Sequence, residues 1–360
     1  MLSVSAAVAG ETPGEPSPFL AQIREHFAAW DTDANGVLVA AEIDRALSQP
    51  EFRGDAAAAL VALKRGLKAS PGPFTIETLA TRLGDTGGGA ASHESLTKLF
   101  VWAQERIAKA RRELFFSQPP RVDALRQGKL GDCFCLAALR AMIEREPAVL
   151  TRMIEPRADG TYLVELGAKK VTVPPLTDGE IALGASADDG LWPLVYEKAV
   201  GLARMKEDAP EATPLNTVTK GGSAGGMMGA LTQHAIERWS CKTWREAGAA
   251  RGAALLEELR ARLRSAQTER RLITGGTGPL PRDRPAVPGI IFNHGYTVLR
   301  YDEAGDAVRL WNPHGDSFRP KGPAGLVHGY PMEHGEFTVP LTELVQFFGG
   351  FAFEQRTPAS

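Results

Sequence analysis

The chain has 360 residues, of which 43% are hydrophobic, and a formal net charge of -2 at pH 7. This length and composition predict two or three domains with packed cores, and the near-neutral charge argues against nucleic acid as the main partner. No hydrophobic run reaches the length of a membrane span. Three cysteines cannot all pair and no basic secretory segment opens the chain, so we expect a reducing, cytoplasmic setting.

The first strong motif is DTDANGVLVAAE, which follows a Gly-, Pro- and Ser-rich tail predicted to be disordered. Its oxygen donors at positions one, three and five, glycine at six and glutamate at twelve are the spacing of an EF-hand calcium loop. A carbonyl at position seven adds one oxygen, and the glutamate can supply two. The predicted Ca²⁺ ligands are Asp31, Asp33, Asn35, Val37 and Glu42.

A second helix pair is predicted directly after this loop, in AAAALVALKRGL and IETLATRL. Its connection, KASPGPFT, has no carboxylate and is expected to be a structural mate without calcium, with residues 74–76 pairing against 37–39. The segment from Gly84 to Glu94 is predicted to be a flexible linker before a helical connector over 96–116.

The sequence QGKLGDC, followed by an apolar, Ala-rich helical pattern, marks Cys133 as a candidate nucleophile. A helix N-terminus favours negative charge, so we expect the pKa of this thiol to be lowered from ~8.5. Gly128 and Gly131 would let the backbone turn tightly and bring Gln127 beside the thiol. There its amide and the Cys133 N–H could donate to the oxyanion of an acyl intermediate.

The C-terminal part predicts two strands, Ile290 to Tyr301 and Ala307 to Trp311, joined by the turn DEAGD. With a turn centred near residue 304, paired residues have numbers that sum to about 608. His294 and Asn312 sum to 606 and should therefore lie nearly opposite each other. Asn312 could then orient the ring of His294, which would act as general base for Cys133.

Together these motifs resemble those of the calpain family of papain-like cysteine proteases. QGKLGDC is similar to the family's nucleophile motif, HGYTV to its histidine motif and NPHG to its asparagine motif, and the likeness extends from about Pro119 to Phe351. The resemblance implies Cys133 as nucleophile, His294 as general base, Asn312 as orienting residue and Gln127 in the oxyanion hole.

Three residues depart from the family pattern. Phe134 and His314 stand where the family usually has tryptophan, and Asn293 replaces a glycine of the substrate cleft, which it is expected to narrow. A polar ring at His314 is expected to shield the His294–Asn312 pair less well from water. The family's core calcium ligands match poorly, since His334 stands where an aspartate is expected, so those sites are not carried over.

We therefore expect an α+β protein, with a two-lobed papain-like protease core preceded by an all-α EF-hand pair. The predicted function is calcium-binding cysteine endopeptidase, acting on proteins or peptides through a thioester. Two alternatives stay open: a catalytically silent calcium-responsive binding protein, and acyl transfer from the thioester to an amine. Natural substrate and oligomeric state are left undetermined. The predicted divisions are a tail (1–18), the EF-hand pair (19–83), linker and connector (84–118), the cysteine lobe (119–222), the histidine and asparagine lobe (223–352) and a tail (353–360).

Overall fold

The computed structural model describes residues 17–69, 74–84, 90–206, 212–280 and 285–356. Residues 1–16 and 357–360 of the predicted tails, and 85–89 of the predicted linker, lie outside these ranges. The chain divides into two compact units. The first comprises residues 1–108 together with 177–182, and the second comprises residues 109–176 and 183–360.

The first unit is helical within its described residues. One face of its first helix is buried at the predicted helical spacing, through Phe19, Ile23, Phe27 and Trp30. The backbones of Leu38 and Phe74 exchange two hydrogen bonds, of 2.8 and 3.0 Å, at the predicted ribbon. The helices are α1 (Pro18–Trp30), α2 (Ala40–Leu47), α3 (Gly54–Ala69), α4 (Ile76–Gly84) and α5 (Ala90–Lys109).

Two boundaries in this region differ from the sequence prediction. Helix α5 begins at Ala90, so the last part of the predicted linker is helical, and the helix ends at Lys109 rather than near residue 116. The segment 177–182, predicted within the cysteine lobe, groups with the first unit. There the Thr177 hydroxyl donates to the Leu47 carbonyl oxygen over 2.6 Å, a tertiary contact between residues 130 positions apart that local sequence patterns do not reveal.

The first part of the second unit is mostly helical and carries a small antiparallel sheet with strand order β1-β2-β3. Its strands β2 and β3 pair antiparallel between Tyr162 and Val173. Its elements are α6 (Cys133–Arg145), α7 (Val149–Met153), β1 (Ile154–Pro156), β2 (Tyr162–Leu166), β3 (Lys169–Val173), α8 (Asp178–Leu183, shared with the first unit), α9 (Trp192–Arg204), α10 (Pro214–Thr219) and α11 (Ala224–Thr232).

The rest of the second unit is built on a seven-stranded antiparallel sheet, in the order β4-β10-β5-β6-β7-β9-β8. Its elements are β4 (Ala235–Ser240), α12 (Cys241–Arg245), α13 (Ala249–Thr268), β5 (Ile273–Thr277), β6 (Gly295–Asp302), β7 (Ala307–Trp311), β8 (Met332–Glu333), β9 (Glu336–Pro340), α14 (Leu341–Phe347) and β10 (Phe348–Gln355). Leu259 and Leu263 of α13 share one buried core with Tyr296 of β6 and Leu344 of α14. Helix α13 is thus amphipathic, with one face buried against the sheet.

Two strand ends also differ from the prediction. Strand β10 runs to Gln355, and Phe353 and Glu354 are fully buried, so the predicted tail from residue 353 begins too early. Strand β6 starts at Gly295 rather than Ile290. The strand cannot begin earlier because Asn293 has a φ of 52°, in the left-handed region.

Helix α6 packs against strand β6, and this contact positions the site. The Thr297 hydroxyl donates to the Ala137 carbonyl oxygen over 2.7 Å, linking the two elements in their buried interior. The N-terminus of α6, with Cys133, is thereby held beside the start of β6, where His294 lies. Within the described ranges, no helix is both long and apolar enough to cross a membrane.

Candidate active site

Cys133 and His294 line the same cavity, which has a volume of about 440 Å³. Apart from the histidine, Arg238 is the only charged residue among those that line it. Much of the remaining wall is glycine backbone, which allows an extended peptide to approach closely. These glycines are Gly222, Gly225, Gly275, Gly276, Gly278, Gly295, Gly349 and Gly350.

The Cys133 thiol lies at the first turn of α6, as the sequence predicts. Its sulfur accepts the Gly295 N–H over 3.4 Å, and backbone N–H groups of Cys133 and Phe134 also favour the thiolate. Burial nevertheless outweighs these contacts and raises the pKa of the thiol, and any negative charge on the neighbouring Asp132 would act in the same direction. The expectation of a lowered pKa is therefore wrong for this conformation, because the sequence shows the helix terminus but not the burial.

The predicted histidine and asparagine meet directly. His294 Nε2 lies 2.9 Å from Asn312 Oδ1, and both side chains are buried. The amide oxygen can only accept, so Nε2 carries the proton and Nδ1 is left as the basic atom. No hydrogen bond joins this ring to the Cys133 sulfur among the described residues, as is common for catalytic contacts before substrate binds.

Thr277 fixes the backbone of the histidine and was not found from the sequence. Its hydroxyl accepts the His294 N–H over 3.1 Å, and its own N–H donates to the His294 carbonyl oxygen over 2.9 Å. Thr277 lies on β5, the neighbouring strand in the sheet but 17 residues away in the chain. A β-branched residue in a strand has no local pattern that would indicate this role.

The His294 ring is surrounded by other rings. Tyr296 and His314 both meet it edge to face, with ring centroids 5.0 and 4.9 Å away. Burial lowers the pKa of His294 to about 4, His314 adds to that shift, and the Asn312 hydrogen bond opposes it. At neutral pH the resting site therefore holds a neutral imidazole and a neutral thiol.

We expect this buried neutral imidazole to make stability depend on pH. The unfolded chain binds a proton at His294 below its ordinary pKa of 6.5, whereas the folded chain does so only below about 4. The contribution of His294 to the free energy of unfolding is therefore fully present above pH 6.5. It falls by about 3 kcal/mol as the pH drops from 6.5 towards 4. Urea unfolding should show that the free energy of unfolding falls less between pH 7 and pH 4 in His294→Gln than in the wild type. Equal losses in both proteins would contradict this.

Gln127 is held next to the histidine and asparagine segment. Its backbone N–H donates to the Pro313 carbonyl oxygen over 2.7 Å, and its side-chain Nε2 donates to the Leu130 carbonyl oxygen over 2.6 Å. One N–H of the amide remains, and the Oε1 atom is buried without a partner. Glycine is required at position 128 because the backbone there lies close to that of Gly184: a Cβ would be 1.8 Å from the Gly184 carbonyl oxygen.

We expect Gln127→Ala to lower kcat by about 10²-fold with KM nearly unchanged, because one oxyanion donor is lost only in the transition state. Steady-state kinetics on one peptide substrate measure both parameters. Gln127→Glu is the matched control: it keeps the size of the side chain but offers no N–H at neutral pH, so it should be as slow as the alanine variant. A wild-type kcat in either variant would make Gln127 a structural residue.

The three departures from the family pattern have clear positions. Asn293 lines the cavity, and asparagine is one of the few residues besides glycine that tolerates its positive φ. The Phe134 ring lies under Gly222, where a Cβ would come within 2.7 Å of it, and the Arg204 guanidinium lies 4.8 Å from the ring centroid. His314 contacts His294 as described, at the place where the family usually has an indole.

The predicted calcium loop groups its carboxylates in the first unit. Oxygens of Asp31, Asp33 and Glu42 lie within 4.8 Å of one another, and Gly36 makes the turn with a φ of 79°. Glu42 also accepts the N–H groups of Thr32 and Val39, over 2.8 and 3.1 Å. None of the three carboxylates belongs to an ion pair found within the described ranges, so the residues present fit a hard divalent cation.

An imidazole oriented by an amide, in the same cavity as a helix-mounted thiol, is the arrangement of a cysteine peptidase. A family model described as calpain family cysteine protease matches residues 85–323, about two thirds of the chain, including Cys133, His294 and Asn312. The chain therefore belongs to the calpain family of cysteine proteases. A search of curated proteins finds no match. Helices α1 to α4 lie before the matched residues.

Proposed function

We propose that this protein is a cysteine endopeptidase that hydrolyses peptide bonds of protein substrates through a thioester at Cys133. The observation that carries the proposal is the 2.9 Å hydrogen bond between His294 and Asn312 at the cavity that Cys133 also lines. It leaves Nδ1 of the imidazole as a base on the same cavity as the thiol. A histidine with a purely structural role would need neither a free basic nitrogen nor a thiol in the same cavity.

The reaction follows from these groups. His294 Nδ1 removes the thiol proton as the sulfur attacks the substrate carbonyl carbon, and the oxyanion accepts hydrogen bonds from the Gln127 side chain and the Cys133 N–H. The imidazolium then gives its proton to the leaving amine as the C–N bond breaks. In the second half, His294 takes a proton from water, the resulting hydroxide attacks the thioester, and the thiol is restored with release of the carboxylic acid.

Because both groups start neutral, the thiolate has to form while substrate is bound. The raised pKa of Cys133 and the lowered pKa of His294 disfavour a resting ion pair. Substrate fills the cavity, and the proton transfer then accompanies the attack on the carbonyl carbon. Because the pKa of this base is near 4, we expect kcat/KM to fall on the acid side only well below neutral pH.

The second part of the proposal is a single calcium ion bound by Asp31, Asp33, Asn35, the Val37 carbonyl and Glu42. The clustered carboxylates without ion-pair partners support it. Bound Ca²⁺ would neutralise their charge and fix the loop between α1 and α2. This site belongs to an EF-hand, with the helix pair α3 and α4 as its structural mate.

One observation favours the alternative of a catalytically silent calcium-responsive binding protein: the resting thiol is neutral and makes no hydrogen bond to His294. Turnover of a quenched fluorescent peptide or of casein, with and without an irreversible epoxide inhibitor, separates the two functions. The proposal predicts cleavage that the epoxide abolishes. Peptide binding without cleavage under all calcium conditions would favour the silent protein. Transfer of the acyl group to added amine, in place of hydrolysis, would identify an acyltransferase.

A further inference from the structure

A carboxyl group is buried directly behind the candidate nucleophile. Asp132 precedes Cys133, is 0% exposed, and neither of its carboxyl oxygens accepts a hydrogen bond from an N–H or hydroxyl of another described residue. It also makes no capping bond to the N-terminus of α6, the usual use of an aspartate at that position. An ionised carboxylate in such a place is strongly disfavoured.

The group within hydrogen-bonding reach of Asp132 is a second acid, Glu197 of α9, which is 2% exposed. Two ionised carboxylates cannot hydrogen-bond, because both only accept. A hydrogen bond between them needs one proton. The Ala185 N–H donates to Glu197 Oε2 over 2.8 Å and so stabilises negative charge on Glu197, while no N–H or hydroxyl of another described residue donates to the Asp132 carboxyl.

We propose that Asp132 is a protonated acid at neutral pH, that it donates its proton to Glu197, and that the pair acts as a positioning device for Cys133. The hydrogen bond ties the first turn of α6 to α9, and the proton keeps the residue next to the thiol uncharged. A full negative charge at Asp132 would oppose formation of the thiolate. The proposal rests on Cys133 being the reactive thiol of the proposed function.

Among the described residues, the titratable groups whose charge interacts with that of Asp132 supply no compensating positive charge. Besides Glu197 they are Cys133 and Cys135 on α6, Tyr196 on α9 and His314 after β7. Burial raises the pKa of both cysteines and of Tyr196, and it lowers the pKa of His314, so all four are neutral at pH 7. The remaining charge in the cluster is then the carboxylate of Glu197.

The pH dependence of Cys133 alkylation by iodoacetamide tests the proposal without requiring peptide cleavage. Asp132→Asn keeps a neutral donor for Glu197, so the midpoint should stay at its wild-type pH. Glu197→Gln removes the one charge behind the thiol and should lower the midpoint by about one pH unit. A midpoint that falls in Asp132→Asn would mean that Asp132 is ionised and would overturn the proposal. Peptide mapping assigns the adduct to Cys133 rather than Cys135 or Cys241.

Infrared spectroscopy at pH 7 provides a readout that does not depend on thiol reactivity. The wild type should show a protonated-carboxyl stretching band that Asp132→Asn lacks. Glu197→Gln should keep the band at a shifted frequency, because its acceptor changes from a charged to a neutral oxygen. If Asp132→Asn does not fold, the shift of the band in Glu197→Gln tests the proposal by itself. A wild-type spectrum without the band, or a band that neither variant changes, would overturn the proposal even if peptide hydrolysis is demonstrated.

Discussion

Replacing Cys133 by alanine is expected to abolish peptide cleavage while the fold is retained. The nucleophile is lost, and no other thiol can take its place: Cys135 is fully buried with its sulfur on the Asp132 carbonyl oxygen, and Cys241 is fully buried in the core of the large sheet. The substitution removes one sulfur atom and a 3.4 Å contact with the Gly295 N–H. The free energy of unfolding should therefore change by no more than about 1 kcal/mol.

The measurement is hydrolysis of a fluorescent peptide by matched preparations of wild type, Cys133→Ala and Cys241→Ala. The last variant controls for general effects of removing a cysteine and should still cleave. Circular dichroism and urea unfolding confirm that each protein is folded. Turnover by Cys133→Ala above the background of a mock preparation would exclude the thioester mechanism.

Glu42→Gln is expected to eliminate calcium binding, the second large effect. Glu42 is 4% exposed and would give the ion both carboxylate oxygens, so the substitution removes charge and bidentate geometry together. Isothermal titration calorimetry should show one site in the wild type and no heat of binding in the variant up to about millimolar Ca²⁺. Glu77→Gln, on the exposed face of α4, is the matched control and should bind as the wild type does.

A residual calcium site in Glu42→Gln would contradict this assignment and point to the protease core. Glu336, an acidic residue of that core, forms ion pairs with Arg140, at 3.2 Å, and with Arg309. Calcium is expected to change cleavage only modestly, because the sequence carries a Gly-rich stretch at 84–89 between the calcium loop and the region of Cys133. Values of kcat/KM with calcium and with chelator measure this effect, and a loss of cleavage to background with chelator would contradict it.

The candidate catalytic residues could be singled out from the sequence because their signals are local. Cys133 lies in one continuous motif, and the histidine and asparagine flank one hairpin. Thr297 pairs with Trp311 and Val298 with Leu310, so both pairs sum to 608 as the turn predicts, before the register shifts beyond Val298. His294 and Asn312 lie just outside the strands and still meet. The turn predicts the pairing to within one residue, and the shift between Val298 and Arg300 accounts for the difference.

Other parts of the site depend on elements that are distant in the chain. Thr277 orients His294 only because β5 neighbours β6 in the sheet, and Glu197 reaches Asp132 only because α9 packs near the start of α6. The direction of the Cys133 pKa shift also depends on burial, which is a tertiary property. The backbone N–H groups at the helix terminus, which the sequence does indicate, make only the smaller, opposing contribution to the pKa.

Mass spectrometry of the protein after titration with an epoxide probe, with residual peptide cleavage measured on the same samples, tests directly whether Cys133 is the nucleophile. We expect one probe per chain, attached at Cys133, and cleavage that falls in proportion to the labelled fraction. His294→Ala should take up the probe far more slowly. Full cleavage by protein that is completely labelled at Cys133, or loss of cleavage with the adduct elsewhere, would contradict this expectation.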